Sequence, residues 1–168
     1  VHEPVRQVDA VAHPLIRDAA RELRVEAVLE VEARVERARE ACGSLLGARV
    51  AVLGAAFKPD SDDVRDSPAL NVAGQIQLQG AAVNVYDPKA MDNSRALFPT
   101  LTYSANALEA CEGADVVLVL TEWPEFLKLQ PSDLDSVVRK KVIVDGRNCL
   151  SPDEWRGAGW NYRGLGRP

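Results

Sequence analysis

Four short apolar runs constrain this chain more than anything else in it: "RVAVLG" (49–54), "AAVNVYD" (81–87), "DVVLVL" (115–120) and "KVIVDG" (141–146). Each has the length of a strand, and little polar residue interrupts any of them. A strand that is apolar on consecutive residues is covered on both faces, the condition of a parallel sheet between layers of helices. The intervening segments have helical spacing. After the first run, Ser67 or Asp66 can cap a helix with Pro68 in its first turn. Ala69, Val72, Ala73 and Ile76 then form its apolar face, and Gly80 stops it. "ALEACEG", "EWPEF" and "PSDLDSVV" read as short helices, "SPDEWRGAG" as a capped helical turn and "NYRGLG" as an edge strand.

Strands alternating with helices define an α/β chain with a Rossmann-like parallel sheet and helices on both faces. A long amino-terminal helix precedes it. From Leu15 to Cys42 there is no proline or glycine, and Gly43 suits a helix end. Ile16, Ala19, Ala20, Leu23 and Ala27 recur at helical spacing, and Val28, Val31, Val35 and Ala38 continue the stripe. A break near Val25 is compatible with the pattern. The stripe serves either to cover a core or to meet a partner. A connecting helix between two domains is the alternative reading, so residues 1–46 are expected to form an amino-terminal helical or connecting segment and residues 47–168 a single Rossmann-like domain.

Open parallel sheets bind ligands at the carboxyl ends of their strands, so the loops after Leu53, Tyr86, Leu120 and Val144 are the candidate sites. The first reads G-A-A-F-K-P and lacks the second and third glycines of a dinucleotide fingerprint. Lys58 is its one cation before Val64, placed either to meet an anion or simply to be solvated. Arg65 stands among Asp62, Asp63 and Asp66, which suggests a local ion-pair cluster. The same acidic stretch is no calcium loop, because the central glycine and terminal glutamate are missing. Asp87 closes the second run, where a ribose-binding acid often sits, although Pro88 behind it suits a turn. Thr121, Glu122 and Trp123 offer stacking and hydrogen-bonding groups. Arg147 in "DGRN" can fork onto a carboxylate or phosphate, or pair with Asp145.

The formal net charge of −5 provides no field for nucleic acid or an anionic membrane surface. No apolar run approaches the ~20 residues that span a bilayer. Cys42, Cys111 and Cys149 are widely spaced and odd in number, which excludes a disulfide framework or zinc motif and suits a reducing, cytoplasmic compartment. His2 and His13 lie away from any strand end. No metal is expected.

Five blocks, in order, carry a resemblance: "VAVLGAAFKPDSDDVRDSPAL", "VNVYDPKA", "ADVVLVLTEWPEF", "VIVDGRN" and "WNYRGLGR". They resemble the carboxy-terminal, UDP-binding domain of the UDP-glucose/GDP-mannose dehydrogenase family, with bacterial UDP-glucose 6-dehydrogenases as the most similar branch. The likeness runs from about Ala38 to Arg167, some three quarters of the chain. It implies an NAD-dependent oxidoreductase of two Rossmann-like domains joined by a long helix that also makes a dimer contact. Phe57 and Lys58 match positions that contact the nucleotide sugar, Arg147 a substrate-binding arginine, and Arg65 an arginine reaching NAD bound by the other domain. The expected partners are a UDP-sugar and, through the helix 15–42, a second copy of the chain.

Two family features are absent: the glycine-rich NAD fingerprint and the "GGxCxPKD"-type segment with its nucleophilic cysteine. The isolated chain is therefore expected to be inactive and to contain no catalytic residue. It reads as the UDP-sugar-binding portion of a dehydrogenase of the polysaccharide-precursor type. The alternative is a non-catalytic nucleotide-binding or dimer-partner protein derived from that family. A phospho-acceptor receiver domain is ruled out, because no acidic pair ends the first strand.

Overall fold

The computed structural model describes residues 14–166. His2, His13 and the final Arg167 of the last sequence block lie outside the described residues. The chain begins with α1 (Pro14–Cys42), one unbroken helix without the break compatible with Val25. Only its inner half is covered. Val31, Arg34, Val35 and Ala38, at helical spacing, are buried against the sheet, while residues 15–30 are exposed.

The four apolar runs become β1 (Arg49–Leu53), β2 (Ala82–Tyr86), β4 (Val116–Val119) and β5 (Val142–Asp145). Two short edge strands, β3 (Thr102–Tyr103) and β6 (Asn161–Gly164), complete a six-stranded sheet in the order β3-β2-β1-β4-β5-β6, with every pairing parallel. Every residue of β4 and of β5 is buried. Because successive side chains point to opposite faces, both faces must be covered. Helix α2 (Pro68–Leu78) packs with α1, and α4 (Ala107–Cys111) packs on β1 and β2 and touches α6 (Pro131–Leu134). Among the remaining helices, α5 (Pro124–Leu127) follows β4 and α7 (Pro152–Gly157) precedes β6. "NYRGLG" is an edge strand, as its position in the sequence suggested.

Ser67, not Asp66, caps α2: its hydroxyl accepts from the Leu70 N–H and itself donates to the Ala55 carbonyl at 2.6 Å. The sequence reading assigns nothing between Pro88 and Ala107, where the structure has α3 (Met91–Leu97) and β3. Only Ser94 is buried on α3, so no apolar stripe marks it.

Candidate functional site at the carboxyl edge of the sheet

The strand order reverses direction between β1 and β4, and in open parallel sheets a ligand binds above the carboxyl ends of the strands at such a point. Three loops border it: residues 54–67 after β1, residues 120–123 after β4 and residues 146–151 after β5.

Gly54 leads the first loop because nothing larger fits. Its φ is +102°, and a Cβ built there would lie 2.6 Å from the Thr121 backbone nitrogen. The two neighbouring loops thus touch backbone to backbone. Thr121 fastens the contact by donating its hydroxyl to the Ala56 carbonyl at 2.9 Å.

Asp87, at the end of β2, is 1% exposed and organises the whole corner. One of its oxygens accepts from the Ala55 and Ala56 amides at 2.8 and 2.9 Å and from the Trp123 indole N–H at 3.0 Å. The other accepts from the Lys89 and Ala90 amides at 2.9 and 2.8 Å. In a dinucleotide-binding sheet the amides that follow the first strand face a pyrophosphate. Here an internal carboxylate occupies them. The next helix, moreover, begins only at Pro68, so its amino terminus does not extend that turn. These residues do not fit NAD, in agreement with the incomplete glycine pattern. Asp87 is no ribose ligand in this fold, and Trp123, 4% exposed with its N–H spent on Asp87, presents no face for stacking.

Phe57 and Lys58 lie just beyond this corner. Phe57 is 54% exposed, unusual for a ring at the head of a tightly anchored loop. Its amide donates to the Asp63 carbonyl at 2.8 Å, which folds residues 57–63 back on themselves. Lys58 is exposed and makes no hydrogen bond or ion pair among the described residues. Arg65 is held by Asp63 alone: its amide and Nε donate to Oδ1 at 3.0 Å each, and Nη2 to Oδ2 at 2.9 Å. Those hydrogen bonds hold the Asp63 carboxyl down to about 2. The Arg65 side chain is nonetheless 86% exposed and points outward.

Arg147 follows β5. Of its expected partners, Asp145 takes only the Arg147 amide, at 3.1 Å. The guanidinium forks instead onto Glu122, with Nε at 2.5 Å and Nη2 at 2.8 Å from the two carboxylate oxygens. The choice of carboxylate has a simple cause. Asp145 is fully buried and already accepts from the Leu150 amide and the Tyr162 hydroxyl, at 2.8 Å each, on the inner side of the loop. Arg147 faces out, and its hydrogen bonds hold the Glu122 carboxyl below the usual carboxylate range against the effect of partial burial.

Lys58 and Arg147 therefore stand at the same edge of the sheet, on strands separated by β4 alone, a spacing of about 10 Å at the strand level. Arg65 lies farther out on the β1 loop. One contact that the sequence did not suggest is Arg34 of α1, buried within the apolar stripe, whose Nε and Nη2 donate to the Gly146 carbonyl at 3.4 Å each. None of the cysteines has an activated thiol. Burial pushes Cys111 up to about 12, burial and Asp145 do the same to Cys149, and burial raises Cys42. Among the described residues no cluster could hold a metal ion, and no helix is long and apolar enough to cross a membrane.

The strand order and edge loops define a Rossmann-like domain whose own phosphate turn is closed by a carboxylate and whose charged groups face outward from neighbouring loops. The family model described as the UDP-glucose/GDP-mannose dehydrogenase family, UDP binding domain, matches residues 51–152. The chain belongs to this family, as its UDP-binding domain. It is 36% identical over 150 residues to UDP-glucose 6-dehydrogenase TuaD of Bacillus subtilis, covering 86% of this chain and 32% of that protein. It is 41% identical over 126 residues to a UDP-glucose 6-dehydrogenase of Rhizobium meliloti, covering 75% of this chain and 29% of the relative. Among solved structures, a UDP-glucose dehydrogenase from Pyrobaculum islandicum superposes with a TM-score of 0.73 at 35% identity, over 87% of this chain and 31% of that one. The chain thus spans about a third of the length of the relatives it matches.

Proposed function

We propose that this chain is the UDP-sugar-binding portion of an NAD-dependent nucleotide-sugar dehydrogenase of the UDP-glucose-to-UDP-glucuronate type. Residues 1–46 serve as its connecting segment and residues 47–168 as its nucleotide-sugar domain. The observation that carries this reading is the edge of the sheet. An exposed ring, Phe57, and a cation that makes no hydrogen bond or ion pair among the described residues, Lys58, stand across β4 from an oriented guanidinium, Arg147. Phe57 offers an apolar face, Lys58 a compact charge for a diphosphate, and Arg147 the donors not spent on Glu122. Arg65, outward and held by Asp63, is the group that reaches toward NAD; the cofactor itself is held chiefly by residues outside this chain. Among the described residues no cysteine has an activated thiol to serve as a nucleophile.

Titration calorimetry with UDP, GDP and NAD tests the reading. UDP should bind and NAD should not. Loss of a charge-assisted hydrogen bond costs about 1.5–3 kcal/mol, so Arg147→Ala should weaken UDP roughly 10- to 150-fold. UDP-glucose and NAD added to the chain should give no NADH. No heat with UDP, or an unchanged affinity in Arg147→Ala, would sink the assignment.

The outer half of α1 supports a second copy as partner. Leu15, Ile16, Leu23, Val25, Val28 and Leu29 are each more than half exposed along it. A groove of about 390 Å³ between α1 and α2, lined in part by Val28, Val31, Leu78 and Phe98, adjoins them. Sedimentation should show a dimer that Leu23→Asp dissociates; a monomer in the unaltered chain at high concentration would refute the pairing.

A further inference from the structure

We propose that Glu122 is a positioning residue that sets Arg147 against the Phe57–Lys58 loop, so that the diphosphate site is assembled before any ligand arrives. The proposal rests on the reading of Lys58 and Arg147 as ligand-binding groups. The observation behind it is how the tripeptide 121–123 divides its side chains. Thr121 and Trp123 turn toward the β1 loop, the hydroxyl onto the Ala56 carbonyl and the indole onto Asp87, which in turn holds the Ala55 and Ala56 amides. Glu122, between them, turns the other way and takes the tip of Arg147 with both carboxylate oxygens. One short loop at the switch point therefore clips β1 on one side and β5 on the other.

The root of Arg147 is held as firmly as its tip. Its amide is fixed by Asp145. Asn148, at φ +51°, exchanges two hydrogen bonds with Leu165, at 2.9 and 3.0 Å. Arg34 donates to the carbonyl of Gly146, immediately before Arg147. A free arginine must surrender several rotatable bonds when it grips a ligand; one fixed at both ends has lost that freedom already. The fork uses Nε and one edge of Nη2, so the Nη1 hydrogens and the remaining Nη2 hydrogen stay available to an anion. The opposite role for Glu122, a counter-ion that competes with phosphate for the guanidinium, predicts the opposite sign.

The test compares UDP affinity in the unaltered chain, Glu122→Gln, Arg147→Ala and the double variant. Glutamine keeps the shape but can accept only one of the two bonds. Glu122→Gln should weaken UDP binding roughly 3- to 10-fold, and the double variant should bind no more weakly than Arg147→Ala alone. Melting temperatures should agree within about 4 °C, because an ion pair about a third exposed at the sheet edge adds little stability. Equal or tighter binding in Glu122→Gln, or single effects that multiply in the double variant, overturns the proposal. A second readout needs no ligand. The Arg147 Nε–H resonance should be sharp and slow to exchange in the unaltered chain, and broadened in Glu122→Gln. If it is the same in both, Glu122 does not position Arg147. If UDP fails to bind the unaltered chain while the resonance responds as expected, the reading of the site as a UDP site fails and the orienting contact stands.

Discussion

Asp87→Ala should be among the most destabilising single substitutions in this chain, costing about 4–5 kcal/mol by urea denaturation. The reasoning starts from the five donors that converge on its carboxylate: the amides of Ala55, Ala56, Lys89 and Ala90 and the indole of Trp123. A buried donor left without an acceptor costs roughly 1–3 kcal/mol, and water entering the vacated volume offsets part of the sum. Asp87→Asn should cost less, since one amide oxygen still accepts while the NH2 group faces donors. Chemical rescue makes the prediction specific. If the carboxylate stands where a phosphate would rest on the Ala55 and Ala56 amides, formate or acetate should raise the melting temperature of Asp87→Ala and leave the unaltered chain almost unchanged. A loss under about 1 kcal/mol, or identical responses to formate, would show that the corner does not depend on this anion.

Gly54→Ala should cost about 4 kcal/mol through a different mechanism. The residue adopts φ +102°, where an L side chain is strained by roughly 1–3 kcal/mol. The added methyl would also meet the Thr121 backbone nitrogen at 2.6 Å and its Cβ at 2.5 Å. Neither can rotate away, so the β1 and β4 loops must part, at a further cost of about 1–3 kcal/mol. For a chain of this size the melting temperature should fall by roughly 8–16 °C. At Gly157, on α7, an added methyl would find nothing within 4 Å, and its alanine variant is the natural control. Similar losses at both positions would show that the close approach at Gly54 is not what makes glycine necessary there.

Those two corners also show where sequence reasoning reached and where it stopped. β1, β4 and β5 were legible because each is apolar on consecutive residues, and β2, interrupted by Asn84 and buried at Val83 and Val85, because its apolar residues alternate. The cap and proline of α2 were legible from local chemistry. By contrast, α3 buries only a serine and β3 is two residues long, so neither leaves a periodic trace. Lys58, Arg65 and Arg147 could be placed at strand ends, but their partners could not. Glu122 and Arg147 are 25 residues apart and meet only because β4 and β5 are neighbours. Asp87 looked like a ribose ligand or a turn residue, since its five donors come from three separate segments. Arg34 is one of many charged residues on α1. Its position three residues after Val31 and one before Val35 placed it within the apolar stripe, and that was the one available clue.

The unequal covering of α1 has a mechanical consequence. Its inner turns are seated on the sheet and fixed by Arg34 to the carbonyl beside Arg147, while the exposed residues 15–26 extend beyond the groove shared with α2 for about 18 Å. Such a rod pivots about its seat: a tilt of about 10° near Val31 moves the far end by roughly 4 Å, and a small displacement at the seat is magnified in the same proportion. Force applied to the outer turns is thereby delivered, as leverage, to the peptide between Gly146 and Arg147.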